Sequence, residues 1–452
     1  MPFSYNKNEL YFLSKRCKNI LYSQCLQYQF LVKMNAYFFD MDGVIFDSMP
    51  NHAAAWEEVM NNYNLPFGVK DCYVNEGRTG MDVIIESYKK VYGAIPPQNL
   101  VKEIYDKKTE SFSRRGPAMP MKGIKKVLEF LHQEEEQIWI VTGSGQMSLF
   151  DTLNIHFPNI FTRQRMITAF DVTRGKPHPE PYLRAWELSK LAKENCTVIE
   201  NAPLGVRAAK QADLFTIAVN TGPLDKKLLY QENADIVLNN MDELLCFLKV
   251  KQHIDKEIVP LYRTFDDAHN VSHMKRVIEQ SLLLARPISD VNPLLCFTIA
   301  AYHDVGLVKD RKTHHIHSAE YIRNDKFLTE LFSPEEIILM AEAAEDHRAS
   351  NASQPRSIYG AIVAEADRDL RPTVVMRRTL QFGLKHYPEQ SKVEHIRRAI
   401  SHIEEKYGEQ GYLHLPIGSA DNIAGLQEIH RLIGNKPLLS AELAKIYDNL
   451  IG

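Results

Sequence analysis

The chain has 452 residues, too many for one ordinary hydrophobic core, so two or three domains are expected. Its 54 Lys and Arg nearly balance 57 Asp and Glu, giving net charge −3, which argues against a nucleic-acid or anionic-membrane binder. No apolar run reaches the roughly 20 residues a membrane-spanning helix needs, and cysteines scattered without CxxC spacing fit a reducing cytoplasm rather than a disulfide scaffold or zinc ribbon.

Residues 1–33 are rich in Tyr, Phe, Leu, Lys and Asn but lack an apolar stretch followed by a small-residue cleavage site. They read as an N-terminal extension ahead of a natural start at Met34, with a packed helical arm as the alternative. From Ala36 to about Lys249, short apolar runs alternate with amphipathic stretches. Ala36–Phe39, Gln137–Thr142, Met166–Ala169, Thr197–Glu200, Thr216–Val219 and Ile236–Val237 are expected as strands, with helices such as Gly123–Glu134, Pro179–Leu191 and Gly205–Gln211 between them. Such alternation predicts an α/β doubly wound parallel sheet, with its chemistry at the carboxyl ends of the strands. A helical insertion at about 50–118, broken at Pro66, Gly77–Gly80 and Pro96–Pro97, reads as a cap within a domain spanning 34–250.

After a short linker near Val250–Lys256 the alternation stops. Glu257–Arg286, Pro293–Asp304, Ser318–Leu328, Pro334–Glu345, Ile358–Leu370, Lys392–Tyr407 and Ile423–Ile433 carry helical apolar spacing, so residues 251–452 are expected to be all-α.

The first strand ends in Asp40-Met41-Asp42-Gly43, where Gly43 allows an immediate turn. Of two carboxylates so placed, one can attack phosphorus while the other moves a proton to the leaving oxygen and then from water. Phosphoryl transfer also needs cations on the equatorial oxygens. The full string, with Asp47-Ser48 following, resembles the first signature of the haloacid dehalogenase superfamily, and three further signatures follow in order. Thr142 ends Ile-Val-Thr-Gly-Ser-Gly, Lys176 sits in Arg-Gly-Lys-Pro-His-Pro, and Glu200-Asn201 opens an acidic motif.

The resemblance covers about Ala36 to Lys249 and implies a nucleophile at Asp40, an acid/base at Asp42, a phosphate-binding Thr142 and a charge-balancing Lys176. It implies Mg²⁺ held by the Asp40 carboxylate, the Asp42 carbonyl and Glu200, with waters completing the shell. Asn201 stands where an Asp is frequent; it can still offer an oxygen but removes one negative charge, so weaker metal binding is expected.

Cap position places the chain near the subfamily containing β-phosphoglucomutase and small phosphatases. His52 and Trp56 fall where the mutase handles protons, or simply open the first cap helix. The mutase grips a second phosphate with a Lys and an Arg in a cap loop that reads Glu76-Gly77-Arg78-Thr79-Gly80 here, and with a lysine where Gly145-Gln146 stands. Hydrolysis is therefore expected over mutation of a sugar phosphate, with His52, Arg78 and Ser144 as substrate contacts.

The helical half carries His273, the doublet His303-Asp304, and Asp367 on separate helices, a mixed N/O donor set suited to Mn²⁺, Fe²⁺, Ni²⁺, Co²⁺ or Zn²⁺. Successive helical residues diverge by about 100°, so both members of the doublet reach one ion only near a helix end. This text resembles the HD superfamily of metal-dependent phosphohydrolases over roughly Glu257 to Leu370. The resemblance implies His273, His303, Asp304 and Asp367 as ligands and water as nucleophile. His314 and His347 are candidates for a second metal, and Arg276 for a phosphate contact or a salt bridge. Two phosphohydrolases of small phosphorylated metabolites or nucleotides, fused in one cytoplasmic chain, is the resulting expectation. The alternatives are a helical half that senses a ligand and regulates the first, and a region of about 371–452 that forms a homodimer.

Overall fold

The structure, a computed structural model, describes residues 35–144, 149–266, 268–348 and 354–451; the expected extension 1–33, with Met34, and the positions Gly145 and Gln146 lie outside them. Six parallel strands, β1 (Ala36–Phe39), β2 (Gln137–Val141), β3 (Met166–Ile167), β4 (Cys196–Glu200), β5 (Phe215–Val219) and β6 (Ile236–Leu238), form one sheet in the order β3-β2-β1-β4-β5-β6. Strand β1 reads Ala-Tyr-Phe-Phe, buried along its whole length, because helices cover both faces of such a sheet. The doubly wound α/β fold expected from the sequence is thus present, followed, among the described residues, by helices without strands.

Strand β3 is shorter than Met166–Ala169 suggests: the Thr168 amide and hydroxyl both turn onto Asp171 Oδ2, at 2.8 and 2.7 Å, which ends the ladder. The cap consists of helices Met49–Asn62, Val69–Val74, Gly80–Tyr92 and Gln98–Ser113 around a small core of their own, including Trp56, Met60, Ile84 and Ile104.

No separate linker occupies Val250–Lys256. The helix Met241–His253 runs on through one π turn, Ile254–Ile258, into Val259–Tyr262. Leu244, Phe247, Val250, Ile254 and Ile258 are all buried, and Phe247 packs on Phe297 at 5.0 Å, so one continuous apolar cluster joins sheet and helices. The single helix expected over Glu257–Arg286 is also interrupted. Asn270 Oδ1 accepts from the amides of Ser272 and His273, and this cap starts a new helix at Val271–Ala285.

The last four helices, Pro372–His386, Lys392–Tyr407, Ala420–Gly434 and Lys436–Ile451, turn their apolar faces on one another around Leu380, Ile403 and Leu443. Buried Glu365 ties this unit down by accepting from the amides of Ile417, Gly418 and Ser419 at 2.6, 2.8 and 2.6 Å. Among the described residues no helix is long and apolar enough to cross a membrane.

Candidate active sites

Parallel register sets Phe39 beside Ile140 and Ile199, so Asp40, Thr142 and Glu200 emerge together where the strand order reverses. Lys176 reaches into this crevice from the loop after β3. Its ammonium donates to Asp40 Oδ1 at 2.5 Å, Glu200 Oε1 at 2.7 Å and the Val141 carbonyl at 3.0 Å. Glu200 is held further by the Tyr182 hydroxyl at 2.8 Å and the amides of Asn201 and Ala202 at 2.9 and 3.1 Å. A Cβ at Gly205 would lie 1.8 Å from Glu200 Oε1, which explains a glycine there. Thr142 is buried and its hydroxyl accepts from the Ser144 amide at 3.0 Å, bringing both to the crevice.

Asp42 faces the cap. Ser48 Oγ donates to it at 2.5 Å and His52 Nε2 lies 3.4 Å away. Burial alone would raise this carboxyl, but His52, Ser48 and Lys108 together hold it at about 2. Nδ1 of His52 is 2.7 Å from Lys108 Nζ, and its ring stacks on Phe112 at 4.2 Å. Burial pushes Lys108 down to about 8 against the pull of Asp42.

Two residues here escaped the sequence reading. Lys108 is one of several lysines on an amphipathic cap helix, and nothing in the text distinguishes it. Glu76 was read only as the absence of a cation; it is buried, and its Oε1 accepts from Asn201 Nδ2 at 2.8 Å. The cap thus brings a carboxylate to the position where Asn201 lacks one. A side chain at Gly43, whose φ is +77°, would collide with Asn201 Nδ2. Arg78, two residues on, has a buried Nε without a partner among the described residues.

Asp40 and Glu200 share Lys176, Asp42 and Glu76 lie close enough to add their charge, and among the described residues no cation other than that lysine is close to Asp40. Burial, with Glu200 and Asp42 adding repulsion, outweighs Lys176 and pushes Asp40 up to about 8. The buried Oδ1 of Asn201 has no hydrogen-bond partner among the described residues. This surplus of negative charge and the orphaned oxygen fit a hard divalent cation.

In the second half every candidate ligand lies at or beside a helix end. His273 is in the first turn of Val271–Ala285, His303 and Asp304 follow Pro293–Tyr302, His314 opens His314–Asn324, His347 follows Pro334–Asp346, and Asp367 ends Ile358–Asp367. Asp304 joins two groups. Its Oδ2 is 3.3 Å from His273 Nε2 and 3.1 Å from His303 Nε2, and its Oδ1 is 3.4 Å from His314 Nε2 and 3.5 Å from His347 Nε2. Asp367 Oδ1 lies 3.2 Å from His273 Nε2. The six residues named from sequence therefore come together.

The imidazole orientations carry further information. Nδ1 of His303, His314 and His347 face the carbonyls of Ala300, Arg311 and Ala344 at 2.7, 2.8 and 2.5 Å. A carbonyl can only accept, so each Nδ1 bears a proton, and the nitrogen left free to offer a lone pair inward is Nε2. Nε2 of His314 and His347 stand 3.2 Å apart, so both nitrogens point at one spot beside Asp304 Oδ1. Burial and His347 push His314 down to about 4, which keeps it a lone-pair donor. The donor set fits borderline divalent transition metals at two adjacent positions.

Arg276, expected as a phosphate contact or in a salt bridge, lies 3.9 Å from both Asp367 Oδ1 and Asp369 Oδ2. Its guanidinium donates to the carbonyls of Ala366 and Asp367 at 2.8 and 2.9 Å, closing the end of the helix that carries Asp367. A cavity of about 800 Å³ opens onto His273 and Asp367.

A carboxylate–lysine crevice on a doubly wound sheet, followed by a helical His/Asp cluster, defines a phosphoric ester hydrolase of two parts. The chain belongs to the haloacid dehalogenase-like hydrolases over residues 37–219 and carries an HD domain over residues 270–371. It is 28% identical over 224 residues to glycerol-1-phosphate phosphohydrolase 1 of Saccharomyces cerevisiae, covering 47% of this chain and 85% of that one. With the phosphorylated carbohydrates phosphatase of Thermotoga maritima it shares 28% identity over 222 residues, covering 48% and 99%. A solved structure from Bacteroides vulgatus that bears the name of a β-phosphoglucomutase is 40% identical, covers 51% of this chain and 94% of its own, and superposes with a TM-score of 0.49.

Proposed function

We propose that the chain is a bifunctional phosphohydrolase: a Mg²⁺-dependent phosphatase of a small phosphorylated sugar or related metabolite, fused to a second phosphohydrolase centre using two divalent transition metals. The observation that carries the first part is the Lys176 ammonium shared by Asp40 and Glu200 at the end of β1. Asp40, the Asp42 carbonyl, Glu200 and Asn201 would hold Mg²⁺ in the first centre, with Glu76 supplying from the cap the charge that Asn201 lacks. His273, His303, Asp304 and Asp367, with His314 and His347, would hold the metals of the second. When bound, such cations neutralise phosphate oxygens and lower the pKa of water.

The chain's own groups divide the work of the first centre. Asp40 attacks phosphorus as a carboxylate, its proton passing to Asp42 as substrate binds. The ester P–O bond breaks, and the leaving oxygen takes that proton from Asp42. Water then attacks the aspartyl phosphate, giving its proton to Asp42 as the bond to Asp40 breaks. Thr142 and Ser144 bind the transferring phosphate, Lys176 balances its charge, and His52, held by Lys108, orients Asp42. Arg78 contacts the rest of the substrate. A cap loop presenting Glu76 in place of a phosphate-gripping cation favours hydrolysis over a mutase reaction.

The test is a phosphate-release screen of phosphorylated metabolites and nucleotides with wild type, Asp40→Asn and Asp304→Ala, under Mg²⁺ and Mn²⁺ separately. Each substitution is expected to remove a different subset of activities. Loss of the same subset from both would argue against two centres.

A further inference from the structure

The cavity that opens onto His273 and Asp367 is lined on its remaining walls by helices Pro372–His386 and Lys392–Tyr407, which the chemistry above does not use. These walls are cationic. Arg378 and Lys385 project from the first helix, Arg398 and Lys406 from the second, and Arg368 from the segment between the second centre and both. Among the described residues Arg378, Lys385, Arg398 and Lys406 form no ion pair with any carboxylate. The acids in the same walls are already matched: Asp266 with Arg311 and His269, Asp369 with Arg371.

Donors also remain unmatched. Nε of Arg368 and Nε of Arg398 are both buried without a partner, and the Arg368 side chain is 8% exposed. Burial, Arg368 and Arg378 push the Lys406 ammonium below its ordinary value against the pull of Asp367, in keeping with the positive charge gathered on these walls. Arg368 also meets Asp367 at 3.8 Å and the His347 carbonyl at 3.0 Å, and half-buried Arg398 lies over Phe382 and Tyr387. What remains unmatched is each Nε–H, a buried donor that a ligand oxygen would complete.

Spacing indicates how much anion is required. Seven residues separate Arg378 from Lys385 and eight separate Arg398 from Lys406, about 10 and 12 Å along their helices at 1.5 Å per residue. One phosphoryl group, satisfied at the His/Asp cluster, would leave this row empty. The volume, about 800 Å³, accommodates a metabolite larger than a simple sugar phosphate. Tyr407, Phe382 and Leu413 add apolar surface for a ring. Glu365, bound to three amides of the 417–419 loop, keeps the last helices fixed against the helix that bears Asp367.

Resting on the reading of the second centre as a phosphohydrolase, we propose that its substrate carries at least two phosphoryl groups. One is presented at the His273–Asp367 end; another is held by Arg378, Arg398 and Lys406. The helices 372–407 are then the specificity module of this half, and these three cations are binding residues that touch substrate away from the reacting atoms.

Two measurements on the full chain, in an Asp40→Asn background that silences the first centre, separate this proposal from the reading beneath it. Calorimetry with inorganic tripolyphosphate, without metal, should give binding that Arg378→Ala/Arg398→Ala weakens at least tenfold. Lys406→Met, which keeps the stem's packing, should weaken it about threefold or more, with circular dichroism unchanged in both. Hydrolysis under Mn²⁺ should favour adenosine 3′,5′-bisphosphate over adenosine 5′-monophosphate by at least tenfold in kcat/KM, and the double variant should erase that preference through KM. Absent binding, or binding unchanged in all variants, overturns the proposal. Equal kcat/KM for the two nucleotides in the parent overturns it as well. Binding that responds to the variants while neither nucleotide is hydrolysed under Mn²⁺, Co²⁺, Ni²⁺ or Fe²⁺ supports the anion site and refutes the phosphohydrolase reading of the half.

Discussion

The two centres gather buried donors for cations by opposite means. In the first, four carboxylates cluster, two of them sharing Lys176, and they come from strand ends and one cap loop. In the second, one carboxylate stands among four imidazoles, with Asp367 at its edge, all from helix ends. Strand ends in parallel register bring neighbouring backbones side by side, so short acidic side chains converge with little reach. Helix ends stand farther apart, and the longer imidazole, fixed by a bond from Nδ1 to a carbonyl, bridges the gap. Donor type differs with the geometry, carboxylates suiting a hard cation in one place and imidazoles suiting a borderline one in the other.

The sharpest way to break this division is to remove one nucleophile. Asp40→Asn should lower Mg²⁺-supported phosphate release by about 10⁴-fold or more, as loss of a covalent nucleophile does elsewhere. Activity supported by transition metals should stay within about twofold. Next in size is Asp304→Ala, which removes the carboxylate common to both imidazole groups. Bound transition metal, read by mass spectrometry after gel filtration, should fall from roughly two per chain to under one half, with activity of that half down at least about 100-fold. Retention of the full metal content would show that Asp304 does not join the two positions.

A smaller effect tests the cap's contribution to the first centre. Asn201→Asp sets a second carboxylate where Glu76 lies 2.8 Å from the present amide nitrogen. Burial and the neighbouring acids already push Glu76 upward. Two buried carboxyls this close cannot both ionise, which should destabilise the metal-free chain by roughly 1 to 3 kcal/mol, lowering Tm by about 2–4 °C per kcal/mol. Millimolar Mg²⁺ should restore most of the loss. An unchanged Tm in chelator would mean that Glu76 does not face position 201 in solution.

Much of this was legible in the text, and unevenly so. Asp40, Lys176 and Glu200 could be named because each sits in a short string that resembles a family signature, and the register then brings Asp40 and Glu200 together while Lys176 reaches them from the loop after β3. The His/Asp set was equally legible, since each residue is flanked by its own helix pattern. Boundaries that depend on tertiary packing were not. The helix through Val250–Lys256 continues because buried Val250, Ile254 and Ile258 pack on the neighbouring core, whereas the break before Val271 depends on one capping Asn. Glu76, Lys108 and the cations of the last helices stayed hidden for another reason. Charged residues on amphipathic helices and loops read as solvated surface, and only the fold turns these inward.

Lys108→Met gives the smallest effect and bears on that last class. The stem of Lys108 packs beside Trp56 and Phe112, with the ammonium 5.2 and 4.9 Å from their ring centroids, and Met preserves that packing. Stability should change by less than about 1 kcal/mol. What is lost is the donor that fixes His52 through Nδ1, and with it the orientation of the group 3.4 Å from Asp42. A fall of roughly tenfold in kcat, with KM within about twofold, is expected at neutral pH, the low end of what positioned proton transfer contributes. Because burial sets Lys108 at about 8, the ammonium is present below that pH and lost above it. The gap between wild type and variant should therefore be widest below pH 8 and close as pH rises past it; a constant gap would place the role of Lys108 in packing rather than in charge.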